Sequence, residues 1–169
     1  SVSFTLNHCK TITRLSFEKK STSIDINETD NSFSFDLLFE GKPKEDFKPK
    51  IQKFFERIEV YCPYLKEYHF TIDTQNTFPH SSGIASSASG MAALAMNIMN
   101  LEKALNPTIT DDYFYPKASF LARLGSGSAC RSLIGNIVVW VKHKELEGSS
   151  DVFGIEFSSK VHSNFEYYQ

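Results

Sequence analysis

The chain has 169 residues, 41 % hydrophobic and 22 % charged, a composition that suits one globular domain and argues against intrinsic disorder. Eighteen basic residues against twenty acidic ones leave a net charge of −2, which speaks against general nucleic-acid binding. The apolar run Ile137-Val138-Val139-Trp140-Val141 is far short of the ~20 residues a membrane-spanning helix needs, so no membrane partner is expected.

The chain opens on Ser1-Val2-Ser3-Phe4-Thr5-Leu6, already inside a structural element and without a leader, which points to a fragment. The first forty residues read as antiparallel strands. Ile24 and Ile26 alternate with polar neighbours, residues 28–31 supply turn chemistry, and Phe33, Phe35, Leu37 and Phe39 recur at period two. Phe47, Ile51, Phe54, Phe55 and Ile58 fall at helical spacing, and Cys62-Pro63 ends that helix because a residue before proline avoids the helical region. Tyr68, Phe70 and Ile72 predict another strand. Met91, Leu94, Ala95, Ile98 and Leu105 form a second helical stripe, stopped by Asn106-Pro107. A third helix over about residues 110–124 carries Phe114, Ala118 and Leu121, with Asp111 and Asp112 read as caps at its start. Ile137–Val141 then reads as a strand buried on both faces, with Val152 and Gly154-Ile155-Glu156-Phe157 as one more strand antiparallel to it. The expectation is one α+β domain over residues 1–169.

Three cysteines, Cys9, Cys62 and Cys130, are too few and too odd for a disulfide framework, which points to the reducing cytoplasm. Neither they nor the histidines fall at zinc-ligand spacing, and no metal ligand is nominated.

Two loops rich in glycine and serine stand at helix boundaries. The first is Pro79-His80-Ser81-Ser82-Gly83-Ile84-Ala85-Ser86-Ser87-Ala88-Ser89-Gly90, leading from a strand into a helix. Small side chains admit a ligand close to the backbone, and serines beside unpaired N–H groups at a helix N-terminus suit phosphate. The alternative is that Ser86 or Ser87 caps the helix. The second loop, Gly125-Ser126-Gly127-Ser128-Ala129-Cys130-Arg131-Ser132, ends in a guanidinium suited to phosphate or carboxylate. Its alternative is a tight connection with Arg131 on the surface. Gly125-x-Gly127 is a poor dinucleotide fingerprint, and neither a Walker loop nor a G-x-S-x-G elbow occurs. Cys130 beside Arg131 invites a lowered thiol pKa, but a small buried filler is the preferred reading.

Residues 79–90 resemble the ATP-phosphate loop of the GHMP kinase superfamily, P-x-x-x-G-L-x-S-S-A, with Ile84 in place of leucine. Residues 123–132 are similar to the more specific signature of the diphosphomevalonate decarboxylase family within it, and Ser1–Leu6 is similar to that family's early S-x-S-x-T-L strand. The resemblance implies an α+β two-layer sandwich of the ribosomal protein S5 domain 2-like type, with a mixed or antiparallel sheet, helices on one face and a left-handed β-α-β crossover.

It also implies chemistry. With ATP and Mg2+, the 3-hydroxyl of mevalonate 5-diphosphate is phosphorylated, and loss of that phosphate with CO2 gives isopentenyl diphosphate. By the likeness, Ser81, Ser82, Gly83, Ala85, Ser86 and Ser87 line the ATP phosphates. Ser126, Gly127, Ser128 and Arg131 hold the substrate, with Arg131 also orienting the carboxylate in catalysis. The family's lysine-tyrosine-tryptophan segment and catalytic aspartate lie outside this chain, which implies an amino-terminal lobe with little or no activity of its own. Family members are commonly homodimers. Three readings compete: a mevalonate or phosphomevalonate 3-kinase or monophosphate decarboxylase, a non-catalytic module with the same fold, and a transferase using Ser128 or Cys130.

Overall fold

The structure, a computed structural model, describes residues 1–21, 32–79 and 86–158. The expected strand around Ile24 and Ile26, its turn and the aromatic tail at 164–169 lie outside those residues. Contacts divide the chain into two compact units, Thr13–Gln75 and Ser1–Ile12 with Asn76–Gln169.

In the unit Thr13–Gln75, the phenylalanine alternation builds a sheet face for one helix. The strands are β2 (Thr11–Lys19), β3 (Ser34–Phe39), β4 (Lys42–Pro43) and β5 (Tyr68–Asn76), in the order β2-β5-β3-β4. Helix α1 (Lys48–Ile58) buries Ile51, Phe54, Phe55 and Ile58. The Phe55 ring meets those of Phe33, Phe35 and Phe70 at centroid separations of 5.5, 5.4 and 5.9 Å. One aromatic cluster thus ties helix to sheet, each tilted or edge-on pair adding about 1 kcal/mol beyond the area it buries.

The sheet is mixed: among the described residues, β3 pairs antiparallel with β4 and in parallel with β5, from Ser34↔His69 to Phe39↔Thr74, so the antiparallel pattern expected over the first forty residues does not extend to β5. The reason is the connection: α1 lies between β3 and β5, and a helical crossover returns the chain in the same direction, as a two-residue turn cannot. The β3–β4 hairpin is such a turn, with Glu40 and Gly41 both at positive φ (53° and 73°) as its geometry requires. Cys62 leaves the helical region (φ −140°, ψ 61°) before Pro63, although short 3₁₀ turns at Glu59–Tyr61 and Pro63–Glu67 flank it.

The second unit holds the two long helices. Helix α2 (Ser86–Leu105) and helix α3 (Asp111–Gly125) bury Met91, Leu94, Ala95 and Ile98 from the first and Phe114, Ala118 and Leu121 from the second. Leu105, expected in the stripe, is instead exposed at the last residue of α2. Lys117 donates to both carboxylate oxygens of Glu102 at 2.7 Å, pinning the helices together. Asp111 and Asp112 are not the N-cap of α3. Thr110 occupies that position, and the two aspartates sit in the first turn, where the helix dipole favours negative charge and Asp111 pairs with Lys103 at 3.1 Å.

A three-stranded antiparallel sheet, β1 (Val2–Phe4), β6 (Ile137–Val139) and β7 (Ile155–Glu156), in the order β1-β6-β7, completes this unit. All three β6 residues are buried, as the loss of alternation predicts. Among the described residues, no helix is long and apolar enough to cross a membrane.

Candidate functional site

The end of α3 sets the site. The Ser126 N–H donates to the Ala122 carbonyl (3.0 Å) to close the helix, and a 3₁₀ turn, Gly127–Arg131, follows at once. That turn is anchored from below by Ser119, the fully buried polar residue of α3. Its hydroxyl donates to the Cys130 carbonyl (2.8 Å) and accepts the Gly154 N–H (2.8 Å), joining helix, turn and the approach to β7 through one oxygen. Gly154 is required there, because a Cβ would lie 2.6 Å from the Cys130 carbonyl oxygen.

Arg131 emerges from this anchored turn beside β1. Its Nε donates to Ser3 Oγ (2.6 Å), its Nη1 donates to Ser1 Oγ (2.8 Å), and its guanidinium carbon lies 5.8 Å from the centre of the Trp140 ring. Trp140 is held in turn by its indole N–H on the Asp151 carbonyl (2.8 Å).

Arg131 lines a cavity of about 410 Å³ contained within this unit. Strand β1 and the segment after it contribute Ser3, Thr5 and Lys10, and the first turns of α2 contribute Ser89 and Ala92. Lys10 and Arg131 both line the cavity, and among the described residues no lining side chain is acidic. Two cations against no carboxylate, with hydroxyls and small α2 side chains around them, favour an anion with room for a small molecule. A hydroxyl chain within the same unit stiffens the wall beside α2: Ser89 Oγ lies 2.5 Å from Thr11 Oγ1, itself 2.8 Å from Asn76 Oδ1.

The residues singled out from sequence divide into three groups. Ser81, Ser82, Gly83 and Ala85 lie outside the described residues. Ser86 and Ser87 open α2, half-buried and exposed respectively, where first-turn N–H groups offer donors to an anion. Ser126, Gly127 and Ser128 form the turn that delivers Arg131, but only Arg131 is on the cavity wall. Sequence reasoning missed Ser3, Thr5, Lys10 and Ser89 as wall residues. The signal was present for the first two, since Ser1, Ser3 and Thr5 recur at period two and share one strand face.

Cys130 is buried, and burial pushes its thiol above the ordinary value despite the opposing pull of Arg131 and Arg123. It is a core filler holding its S–H toward the Gly127 carbonyl (3.1 Å), which removes it as a nucleophile. Among the described residues, no three His, Cys, Asp or Glu side chains converge as a metal site.

The family model described as "Diphosphomevalonate decarboxylase-like N-terminal domain" matches residues 1–152. The diphosphomevalonate decarboxylase of Ganoderma lucidum is 39 % identical over 112 residues, covering 66 % of this chain and 26 % of that protein. The mevalonate diphosphate decarboxylase of Enterococcus faecalis, solved for its mevalonate diphosphate mediated ATP binding mechanism, superposes with a TM-score of 0.63 at 28 % identity, covering 92 % of this chain and 42 % of that one. MDDEF in complex with MVAPP, AMPPCP and magnesium gives a TM-score of 0.62 at 28 % identity, with 92 % and 41 % covered. The chain thus spans about a quarter of the curated relative and about two fifths of the solved ones. These likenesses fix the fold as the α+β GHMP kinase type.

Proposed function

The chain belongs to the diphosphomevalonate decarboxylase-like N-terminal domain family, and from that membership we propose that it is the nucleotide- and substrate-loop lobe of an ATP-dependent mevalonate 5-diphosphate decarboxylase. The observation that carries the reading is a cavity of about 410 Å³ with Arg131 and Lys10 on its wall and no acidic side chain among the described residues that line it. Mevalonate 5-diphosphate has a carboxylate at one end and a diphosphate at the other, and the guanidinium fork suits either group.

Transfer of the terminal phosphoryl group of ATP to the 3-hydroxyl makes a leaving group at C3. Phosphate then departs with the C3–O electron pair, and the C1–C2 pair becomes the C2=C3 double bond as CO2 is released. Phosphoryl transfer depends on positioning and charge stabilisation more than on covalent help from the protein. Ser86 and Ser87, with Ser81, Ser82, Gly83 and Ala85 before them, are proposed to hold the ATP phosphates at the N-terminus of α2. Ser126, Gly127 and Ser128 are proposed on the substrate side with Arg131, which holds the carboxylate in line for cleavage.

Magnesium accompanies the nucleotide analogue in the MDDEF complex and is proposed here on that ground, as a screen for phosphate charge. The described residues offer no cluster to ligate it, so no step is assigned through it. The reading extends to a cytoplasmic protein, one domain over residues 1–169, and a homodimer in full-length form.

The test is an assay of the full-length gene product that carries this chain, measuring ADP and CO2 with mevalonate, its 5-phosphate and its 5-diphosphate. Equal yields of ADP and CO2 on the diphosphate are expected. ADP without CO2 would make the protein a 3-kinase, a preference for the monophosphate would change the substrate, and neither product would leave a binding module.

A further inference from the structure

We propose that Ser3 and Trp140 are positioning residues which hold the Arg131 guanidinium in a fixed plane while leaving its charge intact for an acidic substrate. This inference rests on the reading above that Arg131 meets that substrate. A buried or half-buried guanidinium is commonly fixed by a carboxylate, which gives strong orientation but cancels the charge. Here the partners are two serine oxygens, Ser3 Oγ on Nε at 2.6 Å and Ser1 Oγ on Nη1 at 2.8 Å, and one aromatic face, Trp140 at 5.8 Å.

Two in-plane hydrogen bonds to different nitrogens stop the group rotating within its plane. The indole face, itself tied down by Asp151, stops it tilting. All three partners are neutral. The guanidinium has five N–H donors, and these contacts occupy two, so three remain among the described residues, including both on Nη2. Because Arg131 lines the cavity and, among the described residues, no acidic side chain does, a carboxylate or phosphate entering it meets an unneutralised cation. Less side-chain freedom is lost on binding than with a free arginine, which is the advantage of pre-organisation.

The arrangement also explains two otherwise unconnected features. A Cβ on Gly127 would lie 3.8 Å from the Trp140 ring, in ordinary van der Waals contact, so the turn that carries Arg131 runs beside the ring that Arg131 stacks on. Ser3 sits in β1 opposite Val138 of β6, two residues before Trp140, so both holders are registered by one strand pair.

The experiment compares Ser3→Ala, Ser3→Thr, Ser3→Asp, Trp140→Leu and Arg131→Ala in the full-length gene product. KM for mevalonate 5-diphosphate, KM for ATP, kcat and Tm are measured for each. Ser3→Ala and Trp140→Leu are expected to raise KM for the diphosphate about fivefold to tenfold, with KM for ATP unchanged within about twofold. Ser3→Thr keeps the acceptor oxygen and should restore the wild-type value. Ser3→Asp keeps the hydrogen bond but neutralises the guanidinium, and should raise KM for the diphosphate more than Ser3→Ala does. If Arg131→Ala raises that KM strongly while every Ser3 variant matches wild type, the positioning role is wrong and the substrate reading stands. A Ser3→Asp variant equal to Ser3→Thr would also overturn the proposal, because charge preservation would then be irrelevant. If Ser3→Ala and Trp140→Leu shift both KM values together with Tm, their role is structural only. If Arg131→Ala itself leaves KM unchanged, the substrate reading fails first.

Discussion

Replacing Ser119 with alanine removes one oxygen and strands two backbone groups. The hydroxyl donates to the Cys130 carbonyl and accepts from the Gly154 N–H, both at 2.8 Å, and is fully buried. A hydrogen bond between neutral groups contributes about 1 kcal/mol net, but a buried donor or acceptor left unpaired costs about 1–3 kcal/mol. Two such groups, partly offset by the easier burial of alanine, give an expected loss of about 2–4 kcal/mol. Urea unfolding followed by circular dichroism would measure it as a lower midpoint with an unchanged slope. The loss should come with weaker substrate binding, since Arg131 follows Cys130 directly in the turn that Ser119 holds. A change below about 0.5 kcal/mol would refute the reasoning, showing that Gly154 and Cys130 find other partners by a small backbone shift.

Three further outcomes are expected. Lys117→Met should destabilise the chain by about 3 kcal/mol, because it leaves the largely buried Glu102 carboxylate without its cation, and Glu102→Leu added to it should recover most of the loss in a thermal or urea melt. Gly154→Ala should cost about 1–3 kcal/mol by overpacking, since the new Cβ lies 2.6 Å from a backbone oxygen that cannot swing away; an unfolding midpoint equal to wild type would contradict this. The raised Cys130 thiol gives stability that is complete below the unfolded-state thiol pKa and falls as pH rises from there through the folded value. The measured stability of wild type should therefore drop more steeply than that of Cys130→Ala above roughly pH 8.5, and iodoacetamide on the native protein should modify Cys9, at the cavity wall, well before Cys130.

The helices were legible in the sequence because each has an apolar stripe with a clear stop: Ile58 before Cys62-Pro63, Ile98 before Asn106-Pro107, and Leu121 before Gly125. The phenylalanines of β3 were legible as a strand face for the same reason. Its pairing direction was not, since alternation records which face is buried and carries no information about the neighbour's direction. The β7 strand, Ile155–Glu156, is shorter than the one expected there, although the Phe157 N–H still donates to the Ile137 carbonyl of β6 (2.8 Å).

At the site, glycine and serine content marked the turn that carries Arg131, and its resemblance marked the family. What stayed hidden was long-range: Arg131 meets Ser3 across 128 residues of sequence and Ser1 across 130, and no local pattern announces such a meeting. Lys10 was unremarkable in a chain of mixed charge until it proved to line the same cavity as Arg131, with no carboxylate among the described lining residues. Ser119 reads as an ordinary polar residue on a helix, and its importance comes only from being buried where two backbone groups converge.

The central claim is that the Arg131 cavity receives the acidic substrate. Calorimetric titration of mevalonate 5-diphosphate into the chain, beside the Arg131→Ala variant and at two salt concentrations, tests it most directly. The account predicts weak but saturable binding that falls as salt rises and disappears in the variant. Binding that is identical in a folded Arg131→Ala protein would contradict it.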